Sequence, residues 1–418
     1  MAGALRTVPG AVVLGSDFKA LGLIRSLGRH GIPCVLVDDL PRAAWFSRFA
    51  TRRFRWPGAM WGPAFVDFLL TLGQEQQLDG WVLLPSQDEV VELVARNHDR
   101  LGRSYRLVTP AWETLRWAHD KRLMYRVADE LGIAHPRTWY PASASDLTAI
   151  DIQFPVIVKP AVSIALQYAI GRKVLPAGSR RELLEQYQLA ASVIEPRALM
   201  VQEIVPGDGR TQYSVAAFAR DGRMVAAMTA RRRRQYPLDY GLSSSFVEAV
   251  ELPGLLAPAQ TLLTRLRLSG MVEVEFKHDR RDGADKLLDI NVRAWGWHTL
   301  CIACGLDFPY MQYRDALGEP LPEVRPRYGY RWRRLMTDIP AALQEMRRGI
   351  SSPGQCLRSL APPAVPSVLD YGDPLPALGD LAIALSRSFK TGSRGRARIG
   401  LSASAPSAPA GERPQMIS

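Results

Sequence analysis

Acidic and amide side chains alternate with apolar ones along two neighbouring segments, residues 271–277 (MVEVEFK) and 287–293 (LLDINVR). Because alternate residues of an extended strand share a face, these segments predict a hairpin with one apolar and one polar face. The predicted apolar face carries Val272, Val274, Phe276, Leu288, Ile290 and Val292. The predicted polar face gathers Glu273, Glu275, Asp289 and Asn291.

This polar face is typical of a site for a hard divalent cation. Like charges opposite each other destabilise a sheet, so the face favours a positive partner. Carboxylate and amide oxygens suit Mg²⁺, or Mn²⁺ in its place, better than zinc, and Mg²⁺ commonly binds nucleotide phosphates as well. We therefore interpret Glu275, Asp289 and Asn291 as metal ligands, with the guanidinium of Arg293 close enough to reach the same site. The alternative is an ordinary solvent-facing sheet surface, which is commonly polar.

Lysine is scarce, and two of its positions are informative. The chain has seven lysines against 46 arginines. Lys159 ends an apolar strand-like run, so its stem is held while its ammonium group emerges at the strand end. Lys121 follows Asp120 near a predicted helix start, where a solvated lysine is the alternative. Both positions suit contacts with phosphate groups.

The elements that position these residues begin with a parallel α/β unit. Residues 11–15 are apolar, an amphipathic stretch follows, and residues 31–38 are apolar again, which is the pattern of a βαβ unit. Residues 81–85 and 105–109 repeat the strand pattern. The first 112 residues therefore predict an open α/β domain.

A different pattern follows this domain. Residues 117–132 predict a helix closed by glycine, and residues 154–160 and 200–207 predict strands. The Asp221-Gly222 pair between two apolar runs predicts a tight hairpin.

Composition limits the class of protein. The 418 residues are 47% hydrophobic and 22% charged, with 4 cysteines, which excludes collagen-like and disulfide-scaffold chains. No apolar run is long enough to span a membrane, and residues 1–10 lack the apolar core of a secretory signal, so we expect a cytoplasmic protein. Cys301 and Cys304 form a CxxC pair, interpreted as buried thiols because a second ligand pair is lacking.

The C-terminal region is basic. Residues 321–418 hold 14 of the basic and 7 of the acidic side chains, and so account for +7 of the net charge of +12. This charge suggests a weak contact with an anionic membrane surface. No nucleic-acid partner is expected, because the sequence shows no basic sheet with interleaved aromatic residues and no recognisable motif. We expect residues 388–418 to form a disordered tail.

Taken in order, these segments resemble the ATP-grasp superfamily, over about residues 10–320. The motifs that carry the resemblance are Asp120-Lys121, Leu131-Gly132-Ile133 with Pro136, FPVIVKP (154–160), VQEIVPG (201–207), VEVEFK (272–277) and LDINVR (288–293). Within the superfamily the chain is most similar to predicted carboxylate–amine ligases, through residues 234–243.

The resemblance implies an α/β fold in four parts. These are a Rossmann-like preATP-grasp domain (1–112), an ATP-grasp module of two α+β subdomains (113–320), a basic extension (321–387) and the tail (388–418). It implies that ATP phosphates contact Lys121 and Lys159, and that Mg²⁺ binds Glu275, Asp289 and Asn291. It further implies that the hinge beside adenine is formed by Gln202, Glu203, Ile204 and Val205, with Asp208 near the ribose.

The resemblance also implies an ATP-dependent ligase that joins a small carboxylate to an amine through an acyl phosphate. Arg293 and Lys159 would stabilise charge on the transferred phosphoryl group. Among the four consecutive arginines 231–234, Arg234 is the residue that we expect to face the phosphates. The usual Gly-rich loop is not recognisable in residues 161–171. Alternatives are an enzyme that phosphorylates bicarbonate and a protein that binds ATP without turnover. The sequence does not decide the oligomeric state, and a homodimer is one form that it allows.

Overall fold

The first unit is a five-stranded parallel sheet flanked by helices. A computed structural model describes residues 8–162, 165–241, 243–360 and 364–394. The elements of this unit are β1 (Ala11–Leu14), α1 (Phe18–Arg29), β2 (Cys34–Asp38), β3 (Ala50–Arg55), α2 (Pro63–Glu75), β4 (Val82–Pro85), α3 (Asp88–Arg96), α4 (His98–Leu101) and β5 (Arg106–Leu107). The strand order is β3-β2-β1-β4-β5, which confirms the predicted α/β unit. The order reverses between β1 and β4, and parallel sheets bind ligands in the crevice at such a point.

The second unit is a four-stranded antiparallel sheet with order β6-β9-β7-β8. Its elements are α5 (Trp112–His119), α6 (Lys121–Glu130), β6 (Thr138–Trp139), α7 (Asp146–Ala149), β7 (Val156–Pro160), α8 (Ala165–Ile170), β8 (Leu175–Ala177), α9 (Arg180–Ala191) and β9 (Leu199–Glu203). The single helix predicted over residues 117–132 is wrong, since the chain forms two helices that meet at Asp120. The Asp120 carboxylate accepts a hydrogen bond from the Arg122 backbone N–H and so caps α6.

The third unit contains a seven-stranded sheet with order β14-β13-β10-β11-β12-β15-β16. Its elements are β10 (Gln212–Arg220), β11 (Arg223–Tyr236), β12 (Ser243–Ala249), α10 (Leu256–Leu266), β13 (Gly270–His278), β14 (Asp285–Asn291), α11 (His298–Ala303), α12 (Phe308–Ala316), β15 (Arg331–Arg333), α13 (Leu335–Arg347), α14 (Pro353–Leu360), β16 (Val365–Pro366) and α15 (Leu375–Arg394). The hairpin predicted at Asp221-Gly222 is confirmed, with both turn residues at positive φ.

The chain beyond residue 320 adds strands to this sheet. β15 pairs with β12 and β16 pairs with β15, so the sheet continues past the point where the sequence predicts a separate extension. α15 runs to Arg394, so the first residues of the predicted disordered tail are helical, whereas residues 395–418 lie outside the described part of the chain. None of the described helices combines the length and the apolar composition needed to cross a bilayer.

A continuous core joins the first unit to the large sheet. Leu21 and Ile24 of α1, Phe218 of β10 and Trp295 belong to the same buried cluster. Gly22 allows α1 to approach closely, because a Cβ atom there would lie 2.4 Å from His298 Nε2. The packing therefore fixes the first unit against the strands that carry the acidic hairpin.

We expect the substitution Trp332→Ala to destabilise the protein by about 3–5 kcal/mol. Trp332 lies on β15, is fully buried, and donates a hydrogen bond from Nε1 to Thr299 Oγ1 at 2.9 Å. Urea denaturation would measure the change. The control Tyr371→Ala removes a side chain that is 96% exposed and should cost less than about 0.5 kcal/mol. Equal stability of the two variants would contradict the view that β15 is part of the folded sheet.

Candidate functional site

A cleft of about 900 Å³ lies where the three units meet. All twelve site residues predicted from the sequence line it: Lys121, Lys159, Gln202, Glu203, Ile204, Val205, Asp208, Arg234, Glu275, Asp289, Asn291 and Arg293. Residues from the carboxyl ends of β1 and β4 line it as well, including Asp17, Lys19 and Asp88. The crevice at the strand-order reversal of the first sheet therefore opens into this cleft.

The predicted acidic hairpin is confirmed, and its four polar residues pair across the two strands. Glu275 of β13 pairs with Asp289 of β14, and Glu273 pairs with Asn291. The Asn291 amide donates hydrogen bonds to Glu273 Oε2 and Glu275 Oε1, each at 3.0 Å. On the opposite face the predicted apolar residues of β13 are fully buried: Val272, Val274 and Phe276. The fold thus gathers three carboxylates and one amide on the wall of the cleft.

One residue of this hairpin was predicted on the wrong face. The pairing register shifts after Glu275, so that Phe276 pairs with Leu287 and Leu288 is an extra residue. Leu287 is therefore fully buried in the core, and Leu288, predicted there, lines the cleft instead. A β-bulge of this kind reverses which residues face the core beyond it. A prediction that assumes unbroken alternation along the strand misses this reversal.

The carboxylates of the cleft are neutralised by cations from other elements. Lys121 Nζ lies 2.8 Å from Asp289 Oδ1, and Arg232 Nη2 lies 3.0 Å from Glu275 Oε2. Although burial alone would lower it, the neighbouring Asp289 carboxylate holds the pKa of Lys121 above its usual value. Burial, with the nearby Glu275 charge, raises the pKa of Glu273 to about 8, and its Oε1 accepts a hydrogen bond from Trp297 Nε1.

The donor set fits a divalent cation that arrives with phosphate. Glu275, Asp289 and Asn291 supply two carboxylates and one amide, all hard oxygen donors. Within the described residues, no three His, Cys, Asp or Glu side chains are arranged as a metal site of their own. Mg²⁺ typically takes one or two protein carboxylates and completes its shell with water and phosphate oxygens. The cleft therefore suits a metal–nucleotide complex better than a bare ion.

Five of the seven lysines line the cleft: Lys19, Lys121, Lys159, Lys173 and Lys277. Burial, together with the charge of Lys121, lowers the pKa of Lys159 to about 7. Burial also lowers the pKa of Lys173, whose Nζ donates a hydrogen bond to the Gly241 carbonyl at 3.2 Å. An anion bound beside these two lysines would favour their charged forms. Lys173 was not singled out from the sequence, although the scarcity of lysine applies to it equally.

Arg293 is held by the first unit. Its Nε and Nη2 atoms lie 2.5 and 2.7 Å from the two carboxylate oxygens of Asp88, the first residue of α3. Nη2 also donates to Asn291 Oδ1 at 3.2 Å, and Nη1 donates to the Ala294 carbonyl at 3.1 Å. Although burial opposes ionisation of Asp88, Arg293 holds the pKa of that carboxyl well below its usual range. No sequence signal links Asp88 to Arg293, because 205 residues separate them.

The predicted hinge at the end of β9 lines the cleft, with two side chains anchored in the protein. The Gln202 amide donates hydrogen bonds to Tyr125 Oη and Thr138 Oγ1. The Glu203 carboxylate accepts hydrogen bonds from the Arg137 backbone N–H and from Lys286, each at 3.0 Å. These two side chains therefore make their hydrogen bonds within the protein.

The other predicted nucleotide contact is exposed at the rim. Asp208 accepts a hydrogen bond from the Arg210 backbone N–H at 2.9 Å and keeps its carboxylate at the edge of the cleft. Ile204 and Val205, the other two residues of the predicted hinge, lie between Glu203 and this rim and also line the cleft. The segment from β9 to Asp208 thus forms one continuous wall.

Arg234, the residue favoured within the arginine run, lines the cleft but is held by ion pairs. It is only 5% exposed, and its guanidinium lies 2.7 Å from Asp338 and 3.1 Å from Glu345, both in α13. These two carboxylates also pair with Arg333 and Arg210, so the cluster keeps a net positive charge. Arg232, two residues earlier, faces Glu275 and is the member of the run that lies against the predicted metal ligands.

The segment without a recognisable Gly-rich loop contains a helix, α8. Gln167 of this helix lines the cleft. Tyr168 Oη donates a hydrogen bond to Glu89 Oε1 at 3.3 Å, and its ring centroid lies 6.1 Å from that of Trp61. Both partners belong to the first unit, so α8 reaches from β7 to the first unit beside the cleft.

Known proteins resemble the chain in sequence and fold. A family model described as ATP-grasp in the biosynthetic pathway with Ter operon matches residues 195–337. The D-aspartate ligase of Enterococcus faecium (strain Aus0004) is 23% identical over 304 residues, which are 68% of this chain and 70% of that enzyme. The L-amino acid ligase from Bacillus licheniformis shares the fold with a TM-score of 0.58 at 14% identity, over 77% of this chain and 78% of that one.

A further solved structure with this fold contains a nucleotide. It is the biotin carboxylase domain dimer of the Hydrogenobacter thermophilus 2-oxoglutarate carboxylase, in complex with MgADP, ADP and bicarbonate. It superposes with a TM-score of 0.63 at 14% identity, over 77% of this chain and 73% of that one. At this identity the likeness concerns the fold.

We expect binding of a polyphosphate anion to be accompanied by proton uptake above pH 7. The pKa of Lys159 is about 7 without a ligand, and a neighbouring anion favours the charged form, so it would rise toward the ordinary lysine value. Affinity for tripolyphosphate should therefore fall as pH rises from 7 to 9, by at most about tenfold per pH unit. Calorimetry at pH 8 in two buffers with different ionisation enthalpies would measure the uptake.

Lys159→Arg is the matched control for this experiment, because arginine keeps the charge and does not titrate in this range. We expect the variant to bind tripolyphosphate with much less proton uptake. The same uptake in the variant and in the parent protein would contradict the assignment to Lys159.

Proposed function

We propose that this chain, a member of the ATP-grasp superfamily and of its carboxylate–amine ligases, activates a small carboxylate with ATP and joins it to an amine. The carboxylate would attack the γ-phosphate, giving an acyl phosphate and ADP. An amine would then attack the activated carbonyl, and phosphate would leave. The observation that carries the proposal is the meeting of lysines, oxygen ligands and Arg293 in one cleft.

The lysines would bind and orient the nucleotide. Lys121 and Lys159 come from different elements and lie on the side of the cleft formed by α6 and β7. A bound polyphosphate would place negative charge beside Lys159, so the charged form of its ammonium group would become favoured. Lys121 would exchange part of its contact with Asp289 for a contact with phosphate. These contacts neutralise charge while holding the γ-phosphate in line with the attacking carboxylate.

The acidic hairpin would hold the divalent cation of the nucleotide complex through Glu275, Asp289 and Asn291. The metal, when bound, supplies charge neutralisation on the phosphates. Arg232 and Lys121 already neutralise these carboxylates, so both side chains must release them, at least in part, when the cation binds.

Arg293 would stabilise negative charge on the acyl phosphate and on the oxyanion that forms when the amine attacks. Asp88, Asn291 and the Ala294 carbonyl engage four of its five N–H groups, which fixes the guanidinium and leaves one N–H for a substrate oxygen. Asp88 is therefore a positioning residue from the first unit. Positioning and charge stabilisation provide the acceleration, so no covalent nucleophile is required.

The acid and the amine would bind at the end of the cleft formed by the first unit. Asp17, Phe18 and Lys19 follow β1, Glu89 follows β4, and Gly296 lies opposite them. Charged groups of both signs occur together there, because Lys19 Nζ is 3.4 Å from Asp17 Oδ2. Such a mixture suits a substrate that carries both a carboxylate and an ammonium group, and supports amino acids as the first compounds to test.

The double substitution Glu275→Gln plus Asp289→Asn should lower ADP formation by at least about a thousandfold, because it removes both carboxylate ligands of the metal. A coupled assay of ADP release would measure the loss, and circular dichroism would confirm the fold. Asp285→Asn is the matched control, since Asp285 lies on the same strand and pairs with His278 outside the cleft. Normal turnover by the double variant would show that the metal assignment is wrong.

A substrate screen separates the proposed activity from its alternatives. With Mg²⁺ and ATP, we expect ADP release to require both a carboxylate and an amine from a panel of amino acids and small acids. ADP release stimulated by bicarbonate alone would instead identify a bicarbonate-phosphorylating enzyme. ATP binding without ADP formation across the whole panel would identify a non-catalytic ATP-binding protein.

A further inference from the structure

Most carboxylates that line the cleft lie against a cation of the protein. Ten acidic side chains line it, and eight of them form ion pairs with lysines or arginines in the described part of the chain. The two without such a partner among the described residues are Glu89 and Glu273. A carboxylate without a counter-charge in a binding cleft can accept a positive group of a ligand.

Glu273 is already used by the protein. It is only 3% exposed, and its carboxylate accepts hydrogen bonds from Trp297 Nε1 at 2.9 Å and from the Asn291 amide at 3.0 Å. Glu89 differs, because it is partly exposed and its carboxylate accepts one hydrogen bond within the described residues, from Tyr168 Oη at 3.3 Å. Glu89 is therefore the cleft carboxylate that remains available to a ligand.

The position of Glu89 fits the amine substrate. It is the second residue of α3 and directly follows Asp88, which binds Arg293. Arg293 would stabilise the oxyanion that forms when the amine attacks, so the attacking nitrogen must come close to this guanidinium. Consecutive Cα atoms are about 3.8 Å apart, which places Glu89 beside the residue that orients Arg293. The Glu89 carboxylate thus lies at the substrate end of the cleft.

Two aromatic rings lie on the α8 side of Glu89. Tyr168 and Trp61 are 62% and 55% exposed, their ring centroids are 6.1 Å apart, and the Tyr168 hydroxyl contacts the Glu89 carboxylate. The face of an aromatic ring attracts organic cations. A single carboxylate beside two exposed rings therefore suits an ammonium group better than a metal ion, which prefers several oxygen ligands.

A nearby arginine is held by other carboxylates. Arg42 is close enough to Tyr168 for their charges to interact. Its guanidinium, however, lies 2.5 Å from Asp38 and 2.9 Å from Asp39. These two contacts neutralise Arg42, so it does not supply a counter-charge for Glu89.

We propose that Glu89 binds the protonated nitrogen of the amine substrate, with Tyr168 and Trp61 beside it, and so restricts the amine to cationic compounds such as free amino acids. This role rests on the proposed ligase reaction. The amine would enter as an ammonium ion, be oriented by a charge-assisted hydrogen bond to Glu89, and lose its proton to water before the nitrogen attacks. The hydrogen bond from Tyr168 would hold the carboxylate in place.

A purely structural role in α3 is the alternative for Glu89. An acidic residue in the first turn of a helix interacts favourably with the helix dipole, whether or not a substrate is bound. Glu113 provides a matched comparison, because it is the second residue of α5 and does not line the cleft. The substitutions Glu89→Gln and Glu113→Gln therefore remove the same charge from the same helix position, but only one of them changes the cleft.

Steady-state kinetics of Glu89→Gln with L-alanine, L-lysine and hydroxylamine as amines tests this role. Hydroxylamine is largely uncharged near neutral pH and forms a hydroxamate from an acyl phosphate. We expect KM for the cationic amines to rise at least about tenfold, because a charge-assisted hydrogen bond is lost. With an acid that gives hydroxamate with the parent protein, the ratio of amide to hydroxamate formed should fall at least about tenfold. Glu113→Gln should behave like the parent protein, and both variants should keep its melting temperature.

The two amino acids distinguish which nitrogen Glu89 binds. Equal losses with alanine and lysine would identify the attacking nitrogen, whereas a loss confined to lysine would identify the ammonium group of its side chain. Unchanged KM for both amino acids would overturn the role of Glu89, and so would an equal fall in amide and hydroxamate formation. A parent protein that forms no hydroxamate with any acid would instead contradict the ligase reaction itself, so the two failures are distinguishable.

Discussion

Three carboxylates, Glu273, Glu275 and Asp289, share one face of the β13–β14 hairpin, and their repulsion must be offset for the hairpin to be stable. The cations that offset it come from distant parts of the chain: Lys121 begins α6 and Arg232 lies on β11. Burial raises the pKa of Glu273 to about 8, so its protonation further reduces the negative charge near neutral pH. The acidic face therefore draws separate elements toward one cleft, and the same charges make the cleft suitable for a metal–nucleotide complex.

The first unit takes part in this arrangement through one ion pair. Asp88, at the start of α3, holds Arg293 in a side-on bidentate contact. The crevice between β1 and β4 therefore opens toward the group that would stabilise the reacting phosphate. This geometry explains how a separate α/β unit, which carries none of the predicted metal ligands, contributes to the proposed chemistry. In the proposed function it would bind the substrates on one side and orient Arg293 on the other.

Local patterns were reliable where neighbouring residues decide the structure. Alternation predicted the acidic hairpin, and the Asp221-Gly222 turn was found as expected. The same reasoning failed where a single residue changes the register, as at Leu288, or where a side chain caps a new helix, as Asp120 does. For Arg234 the sequence contains no sign of its partners in α13, which lie more than 100 residues away and fix its guanidinium beside the cleft.

The sequence by itself determined which residue types could bind ATP and a divalent cation, and in what order, because motif spacing and the scarcity of lysine are local properties. Only the tertiary structure decided which of these side chains reach the cleft and which are held in ion pairs with other parts of the protein. It placed Lys173, Arg232 and Asp88 in the same cleft and paired Arg234 with α13, since ion pairs form across sequence separations that no local pattern encodes. It also joined the basic C-terminal region to the large sheet while leaving the leucines of α15 exposed, because burial depends on which surfaces meet.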